Sequence, residues 1–308
     1  MRLFALLCAE GSTPFARAGY DAGDYVASKG VGKIVFSSNS DGKWEIYIMR
    51  ADGTGKARLT KSEENDTMPC LSSDGSRVLW VAGGEGTGPQ EGEYGGRICI
   101  MDLKDLRKKY LTPQGKLDDN PQFSTDGKKI IFSSVEEDSD DIWTMNTDGS
   151  SRKRLTTDSA SDCMPSSSPN GRQIVFQSNR TGAYEIFVMD ADGKNLKQLT
   201  KYKTWAGAPS FSPDGKNIVF ASSGNDKSVG AWIFLMNANG ANPRKISHGD
   251  FYNSYPGFSP DGKSLVSASD RDDSEGNNID DIYTMDLNGK NLKRLTKDKA
   301  YETQPDWK

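Results

Sequence analysis

Short apolar runs recur along the chain, each bounded by a polar turn. Glu45-Ile46-Tyr47-Ile48-Met49, Asn217-Ile218-Val219-Phe220-Ala221 and Trp232-Ile233-Phe234-Leu235-Met236 are representative. Their length and their β-branched and aromatic content predict strands. The apolar residues stand at consecutive positions, which predicts sheets covered on both faces.

The turns repeat as well. Phe211-Ser212-Pro213-Asp214-Gly215-Lys216 and Phe258-Ser259-Pro260-Asp261-Gly262-Lys263 are near-identical, with variants at Ser73-Asp74-Gly75, Ser124-Thr125-Asp126-Gly127 and Ser168-Pro169-Asn170-Gly171. Proline presets φ at the first corner and glycine accepts a positive φ. A basic cluster followed by a hydroxyl residue closes each unit, at Thr60, Thr112, Thr156, Thr200, Ser247 and Thr296. The intervals between closures are 52, 44, 44, 47 and 49 residues, and such a period means a solenoid or a propeller. Within residues 207–247 four short strands joined by tight turns predict an antiparallel meander, the unit of a propeller blade.

The repeat begins at Lys33-Ile34-Val35-Phe36, a second strand, and the chain ends on Glu302-Thr303-Gln304-Pro305-Asp306-Trp307, a first strand. The expected fold is therefore all-β: a six-bladed β-propeller of four-stranded antiparallel blades over residues 30–308, closed by a C-terminal strand that completes the first blade. Residues 1–29 lie outside the repeat. Arg2, the run Leu3-Phe4-Ala5-Leu6-Leu7-Cys8-Ala9 and Ala16-Arg17-Ala18 loosely resemble a signal peptide, although Glu10 intrudes. Export to the periplasm or outside the cell is one reading, and a cytoplasmic protein with an N-terminal arm is the other.

The formal net charge of −4 excludes a phosphate-tracking nucleic-acid binder. Lysine and arginine in the closing strands instead protect outer sheet edges from aggregation. No apolar run reaches the length of a membrane span. The cysteines show no CxxC spacing, and Cys70, Cys99 and Cys163 read as buried thiols.

The stretch from Ser178 to Thr200, with Glu185-Ile186-Phe187 and Met189-Asp190, together with the Phe-Ser-Pro-Asp-Gly-Lys turns, resembles the TolB-type propeller repeat. The resemblance recurs over residues 30–308 and implies a propeller standing without the α/β domain that precedes it in TolB. It further implies a monomeric, non-catalytic scaffold whose protein partner belongs to the bacterial envelope, since TolB is a periplasmic partner of the peptidoglycan-associated lipoprotein. The same repeat caps prolyl-oligopeptidase-type hydrolases, but no G-x-S-x-G elbow occurs here.

Loop irregularity concentrates on one face, at residues 83–96, 136–141 and 270–275, and function commonly sits on such loops. Three residues before each strand-one proline stand Asp66, Asp118, Asp162, Ala206, Asn253 and Glu302. These are expected to form a partial acidic ring at one channel mouth, a socket for a cationic peptide side chain or for calcium or magnesium; hydrogen bonding to their own loops is the structural alternative. Tyr202, Trp205, Phe251, Tyr252 and Tyr255 are expected on the same face, where aromatics stack on a sugar or anchor a peptide. His248 is the only histidine. It cannot build a multi-histidine metal site, which counts against the propeller lyases that degrade pectin fragments, and leaves His248 as a general base and the channel carboxylates as the catalytic candidates. A protein-interaction module leads, with a carbohydrate- or cation-binding module and a channel-mouth lyase or hydrolase as alternatives.

Overall fold

The computed structural model describes residues 32–83, 95–136, 139–225, 230–272 and 279–308. The expectations for residues 1–29, and for parts of the three irregular loops, lie outside them. All the named elements are strands, and no helix among the described residues is long and apolar enough to cross a membrane. In chain order they are β1 (Lys33–Ser38), β2 (Glu45–Arg50), β3 (Ala57–Arg58), β4 (Asp66–Leu71), β5 (Arg77–Gly83), β6 (Gly96–Asp102), β7 (Arg107–Tyr110), β8 (Leu117–Phe123), β9 (Lys129–Glu136), β10 (Ser139–Asn146), β11 (Lys153–Arg154) and β12 (Asp162–Ser167). There follow β13 (Gln173–Ser178), β14 (Glu185–Asp190), β15 (Lys197–Gln198), β16 (Ala206–Phe211), β17 (Asn217–Ser222), β18 (Trp232–Asn237), β19 (Arg244–Lys245), β20 (Asn253–Phe258), β21 (Ser264–Ser269), β22 (Asp281–Asp286), β23 (Lys293–Arg294) and β24 (Glu302–Trp307).

These strands build a propeller of four-stranded antiparallel blades. Four sheets have four strands each: β24-β1-β2-β3, β12-β13-β14-β15, β16-β17-β18-β19 and β20-β21-β22-β23. The fifth has eight, because the meanders β4–β7 and β8–β11 are joined through one pair, Gly96 opposite Asp118. Only glycine fits at position 96: a Cβ there would lie 2.4 Å from the Ala82 carbonyl oxygen.

Consecutive apolar residues have a simple cause. Along β1, Val35 points to one neighbouring sheet and packs with Leu71, Val78 and Trp80. Ile34 and Phe36 point to the other and pack with Val266, Ala268 and Ile282. The same division recurs between the other neighbours, so the core is a series of layers between sheets. The inner strands also touch in sequence, β4 on β8, β8 on β12, β12 on β16, β16 on β20, β20 on β24, and β24 on β4.

The repeated motifs have structural counterparts. In each Ser-x-Asp/Asn-Gly turn the hydroxyl of Ser72, Ser124, Ser168, Ser212 or Ser259 donates to the side-chain oxygen of Asp74, Asp126, Asn170, Asp214 or Asp261 at 2.5–2.8 Å. At the unit closures, Oγ of Thr60, Thr112, Thr156, Thr200, Ser247 and Thr296 accepts an isoleucine N–H from the third strand at 2.8–2.9 Å. Four of these hydroxyls donate onward to Glu45, Asp141, Glu185 or Asp281. A hydroxyl serves because the site needs an acceptor and a donor in one small group.

β24 pairs antiparallel with β1, and Lys33 and Lys308 exchange backbone hydrogen bonds at 2.6 and 2.9 Å. It also holds β4: Gln304 Oε1 accepts the Met68 N–H at 2.9 Å, and Asp306 Oδ2 accepts the Leu71 N–H at 2.7 Å. Deleting residues 301–308 removes the innermost strand of one sheet and exposes its neighbours. The melting temperature followed by circular dichroism is expected to fall by well over 10 °C, given that each kcal/mol is worth roughly 2–4 °C in chains of 150–250 residues. An unchanged melt would show that β24 carries no stability.

Candidate functional site

Each inner strand contains the same irregularity. Between Thr67 and Cys70 the chain advances one residue more than its partner between Val81 and Leu79. Equivalent shifts occur at Asp119/Gln122, Cys163/Ser166, Gly207/Ser210, Ser254/Gly257 and Thr303/Asp306. The extra residue is left-handed although it is not glycine: φ is +54° at Met68, +50° at Asn120, +54° at Met164, +49° at Ala208, +48° at Tyr255 and +56° at Gln304. A proline follows each one. Such backbone costs of order 1–3 kcal/mol per residue, and a bulge re-aims the side chains around it.

The bulge changes what faces the axis. Two cavities lie along it. The narrow one, about 90 Å³, is lined by Pro69, Pro165, Pro209, Pro256 and Pro305 and by the left-handed residues. The wide one, about 580 Å³, is lined by Asp119, Asp140, Asp270 and Asp280, by Tyr184, Trp205, Tyr252, Tyr255 and Tyr301, and by Cys163, Gln177, Ser254 and Thr303. Met68, Asn120, Met164, Ala208 and Tyr255 line both, and so stand between the two.

The acidic ring read from the sequence is absent from both linings. Asp66, Asp118, Asp162, Asn253 and Glu302 are fully buried. Arg152 Nη2 donates to Asp118 at 2.8 Å, Arg180 Nη2 to Asp162 at 2.8 Å and Arg271 Nη2 to Asn253 at 2.8 Å, while Lys56 pairs with Glu302. Ser62 Oγ donates to Asp66 at 3.2 Å, and Lys108 supplies its attractive charge. Burial pushes the carboxyls of Asp66, Asp162 and Glu302 above the usual range. The expectation placed them at the channel because strand one lines it, whereas the lining residues are those that follow, such as Asp119, Cys163, Ser254 and Thr303, and the left-handed residues of the bulge.

The cations also rest on aromatic rings. Lys56 lies 4.9 Å from the Tyr47 ring centre, Lys108 5.4 Å from Trp80, Arg152 4.6 Å from Trp143, Arg180 5.1 Å from Phe187 and Arg271 5.1 Å from Tyr283. The exception explains itself. Where Ala206 replaces the acid, Tyr202 packs tilted against Phe220 and Phe234, with centroids 6.2 and 5.6 Å away. An uncharged ring thus fills the place of the cation–carboxylate pair, and Tyr202 belongs to packing. Several basic residues read as edge protection are therefore partners for internal acids; Arg154 and Arg294 likewise pair with Asp141 and Asp281.

Of the remaining candidates, Trp205, Tyr252 and Tyr255 do line the wide cavity. Phe251 lies instead under Arg271, 5.5 Å from ring centre to guanidinium. His248 is exposed, outside both linings, beside Gly289. Cys70 and Cys99 are buried free thiols, whereas Cys163 is half-buried on the cavity wall; burial pushes its thiol up, away from thiolate chemistry. Among the described residues no group of three or more His, Cys, Asp and Glu side chains could hold a metal ion.

Sequence reasoning singled out the loops that carry Asp140 and Asp270 but missed Asp119 and Asp280. Burial, reinforced by Asp140 and Asp118, pushes Asp119 up to about 7; burial with Asp270 and Asp281 does the same to Asp280. The available signal was the position after each ring residue, which reads Thr67, Asp119, Cys163, Gly207, Ser254 and Thr303; only Asp119 carries a carboxylate there.

Two outcomes follow. Arg152→Met keeps apolar contact with Trp143 but strands Asp118, and should cost about 3–5 kcal/mol in denaturant unfolding. For Asp119 and Asp280 the folded pKa lies above the unfolded value, so their contribution is fully present below pH 4 and is lost as pH rises to about 7. Asp119→Asn and Asp280→Asn should therefore raise the melting temperature at pH 8 and leave it unchanged or lowered at pH 4.

Comparison with known proteins agrees with this architecture. Residues 91–206 match the family model described as the TolB beta propeller domain. A protein TolB homolog of Chlorobium luteolum is 32% identical over 117 residues, a stretch that is 38% of this chain and 24% of that protein. The crystal structure of TolB from Acinetobacter baumannii superposes with a TM-score of 0.74 at 22% identity, covering 92% of this chain and 69% of that one. An oligogalacturonate lyase in complex with manganese superposes with a TM-score of 0.59 at 15% identity, covering 85% and 73%. The chain therefore has the β-propeller fold, and residues 91–206 are similar in sequence to the TolB beta propeller domain.

Proposed function

We propose that residues 30–308 form a six-bladed ring closed by β24 and act as a non-catalytic protein-interaction module, with the partner seated at the wide mouth. The closed contact sequence of the inner strands and the β24–β1 pairing support the ring. The observation that carries the function is the wide cavity itself, about 580 Å³, with Tyr184, Trp205, Tyr252, Tyr255 and Tyr301 on its wall. Aromatic side chains around a concave, partly buried surface are the usual anchors of protein recognition. The exposed position of the lone histidine and the raised Cys163 thiol argue against histidine general-base or cysteine nucleophilic catalysis there. Likeness to TolB supports a partner in the bacterial envelope and a periplasmic location. The same aromatic wall suits stacking on a sugar, which is the second reading.

Pull-down from envelope and soluble fractions tests the reading, with Trp205→Ala/Tyr252→Ala as the matched bait. A protein captured by the native chain and lost by the variant, at an unchanged melting temperature, is the expected result. Equal capture by both baits would remove the mouth as the site, and binding on a glycan array without protein capture would favour the sugar.

A further inference from the structure

The wide cavity is chemically one-sided. Among the described residues its lining includes Asp119, Asp140, Asp270 and Asp280, and no lysine, arginine or histidine. This departs from the rule elsewhere in the molecule, where buried acids at the start of the inner strands have a cation beside them. Asp119 is only 9% exposed. It accepts the Asn120 N–H at 2.8 Å, and the charges facing it are Asp118 and Asp140. Those facing Asp280 are Asp270 and Asp281. No lysine or arginine among the described residues pairs with Asp119 or Asp280.

A second observation is independent of charge. Ser254, 6% exposed, lies on the same wall, and its buried Oγ has no hydrogen-bond partner. An unsatisfied buried hydroxyl costs about 1–3 kcal/mol, and like-charged buried carboxylates destabilise the fold further. Groups arranged at such cost fit a site completed by a ligand. Placement adds direction. Asp119 and Asp140 sit on β8 and β10, whereas Asp270 and Asp280 flank the β21–β22 connection. The corresponding inner strands, β8 and β20, are three steps apart whichever way the contact sequence is followed, so the two acid pairs face each other across the mouth.

We infer that the occupant is an organic cation, a guanidinium or alkylammonium group carried on a protein segment, held between the Asp119–Asp140 and Asp270–Asp280 pairs. This rests on the wide mouth being the partner site. The cation donates to the carboxylates and to Ser254 Oγ, and its faces lie against Trp205 and the tyrosines, where cation–π attraction adds about 0.5–2 kcal/mol. A bare metal ion is a poorer fit because the described acids form no group of three able to hold one. An anionic ligand such as a galacturonate would meet four carboxylates on the described wall. Because Asp119 and Asp280 ionise near neutrality, with Asp118, Asp140, Asp270 and Asp281 as the charges facing them, binding of the cation strengthens as pH rises from 6 to 8.

Titration calorimetry on the full chain tests this with an acetylated, amidated Gly-Arg-Gly-Arg-Gly peptide, its citrulline counterpart and the Asp119→Asn/Asp280→Asn variant. The arginine peptide should bind at least tenfold more tightly than the neutral one. The double variant should lose at least tenfold while melting no lower at pH 8, and the native affinity should drop at pH 6. Equal binding of the citrulline peptide, abolished by Trp205→Ala/Tyr252→Ala, would overturn the cation while leaving the mouth as the site. An arginine preference untouched by both double variants would place the peptide elsewhere and overturn both readings. Absence of binding by either peptide, with partner capture still dependent on Trp205 and Tyr252, would overturn the cation alone.

Discussion

Both faces of each sheet are apolar, and neither can be left to water. Val35 needs one neighbour, Ile34 and Phe36 need the other, and the same demand repeats at every interface. A sheet of this kind has no stable existence alone; hydrophobic burial is satisfied only when neighbours follow one another around an axis. The remaining features are consequences. Fourth strands are mostly two residues long, since they lie outside the packed layers. The inner strands converge on the axis, where space is scarce and the backbone must bend.

That bend is the bulge before each strand-one proline. It strains a non-glycine residue into the left-handed region at Met68, Asn120, Met164, Ala208, Tyr255 and Gln304, and it separates two populations of polar side chains. The residues at Asp66, Asp118, Asp162, Asn253 and Glu302 turn into the protein, where cations laid over aromatic rings neutralise or hydrogen-bond them. One residue further on, Asp119 and Ser254 face the cavity. A single extra residue therefore decides whether an acid is structural or available.

The axis mouth then differs from the scaffold in its economy of charge. Elsewhere several buried acids are matched by a base, as in Asp118 with Arg152 or Asp281 with Arg294. At the mouth, acids meet acids and a hydroxyl is left without a partner. A scaffold selected for stability alone would not retain that arrangement, because neutral replacements relieve it; this asymmetry separates the candidate site from the framework that supports it.

The sequence by itself determined the strand-and-turn repeat, its period, the all-β propeller of antiparallel meanders and the hydroxyl that closes each unit. These follow from local chemistry: apolar runs, Pro-Asp-Gly corners and a small donor–acceptor side chain are legible wherever they occur. It also pointed to Trp205, Tyr252 and Tyr255. The partners of Asp66, Asp118, Asp162, Asn253 and Glu302 were not legible, since Arg152 and Arg180 reach them from loops 34 and 18 residues away. Nor was the facing of strand one, because alternation predicts direction only until a bulge interrupts it. Which acids line the mouth was therefore decided by tertiary structure, which alone brings Asp119 and Asp140 of β8 and β10 to the same cavity as Asp270 and Asp280.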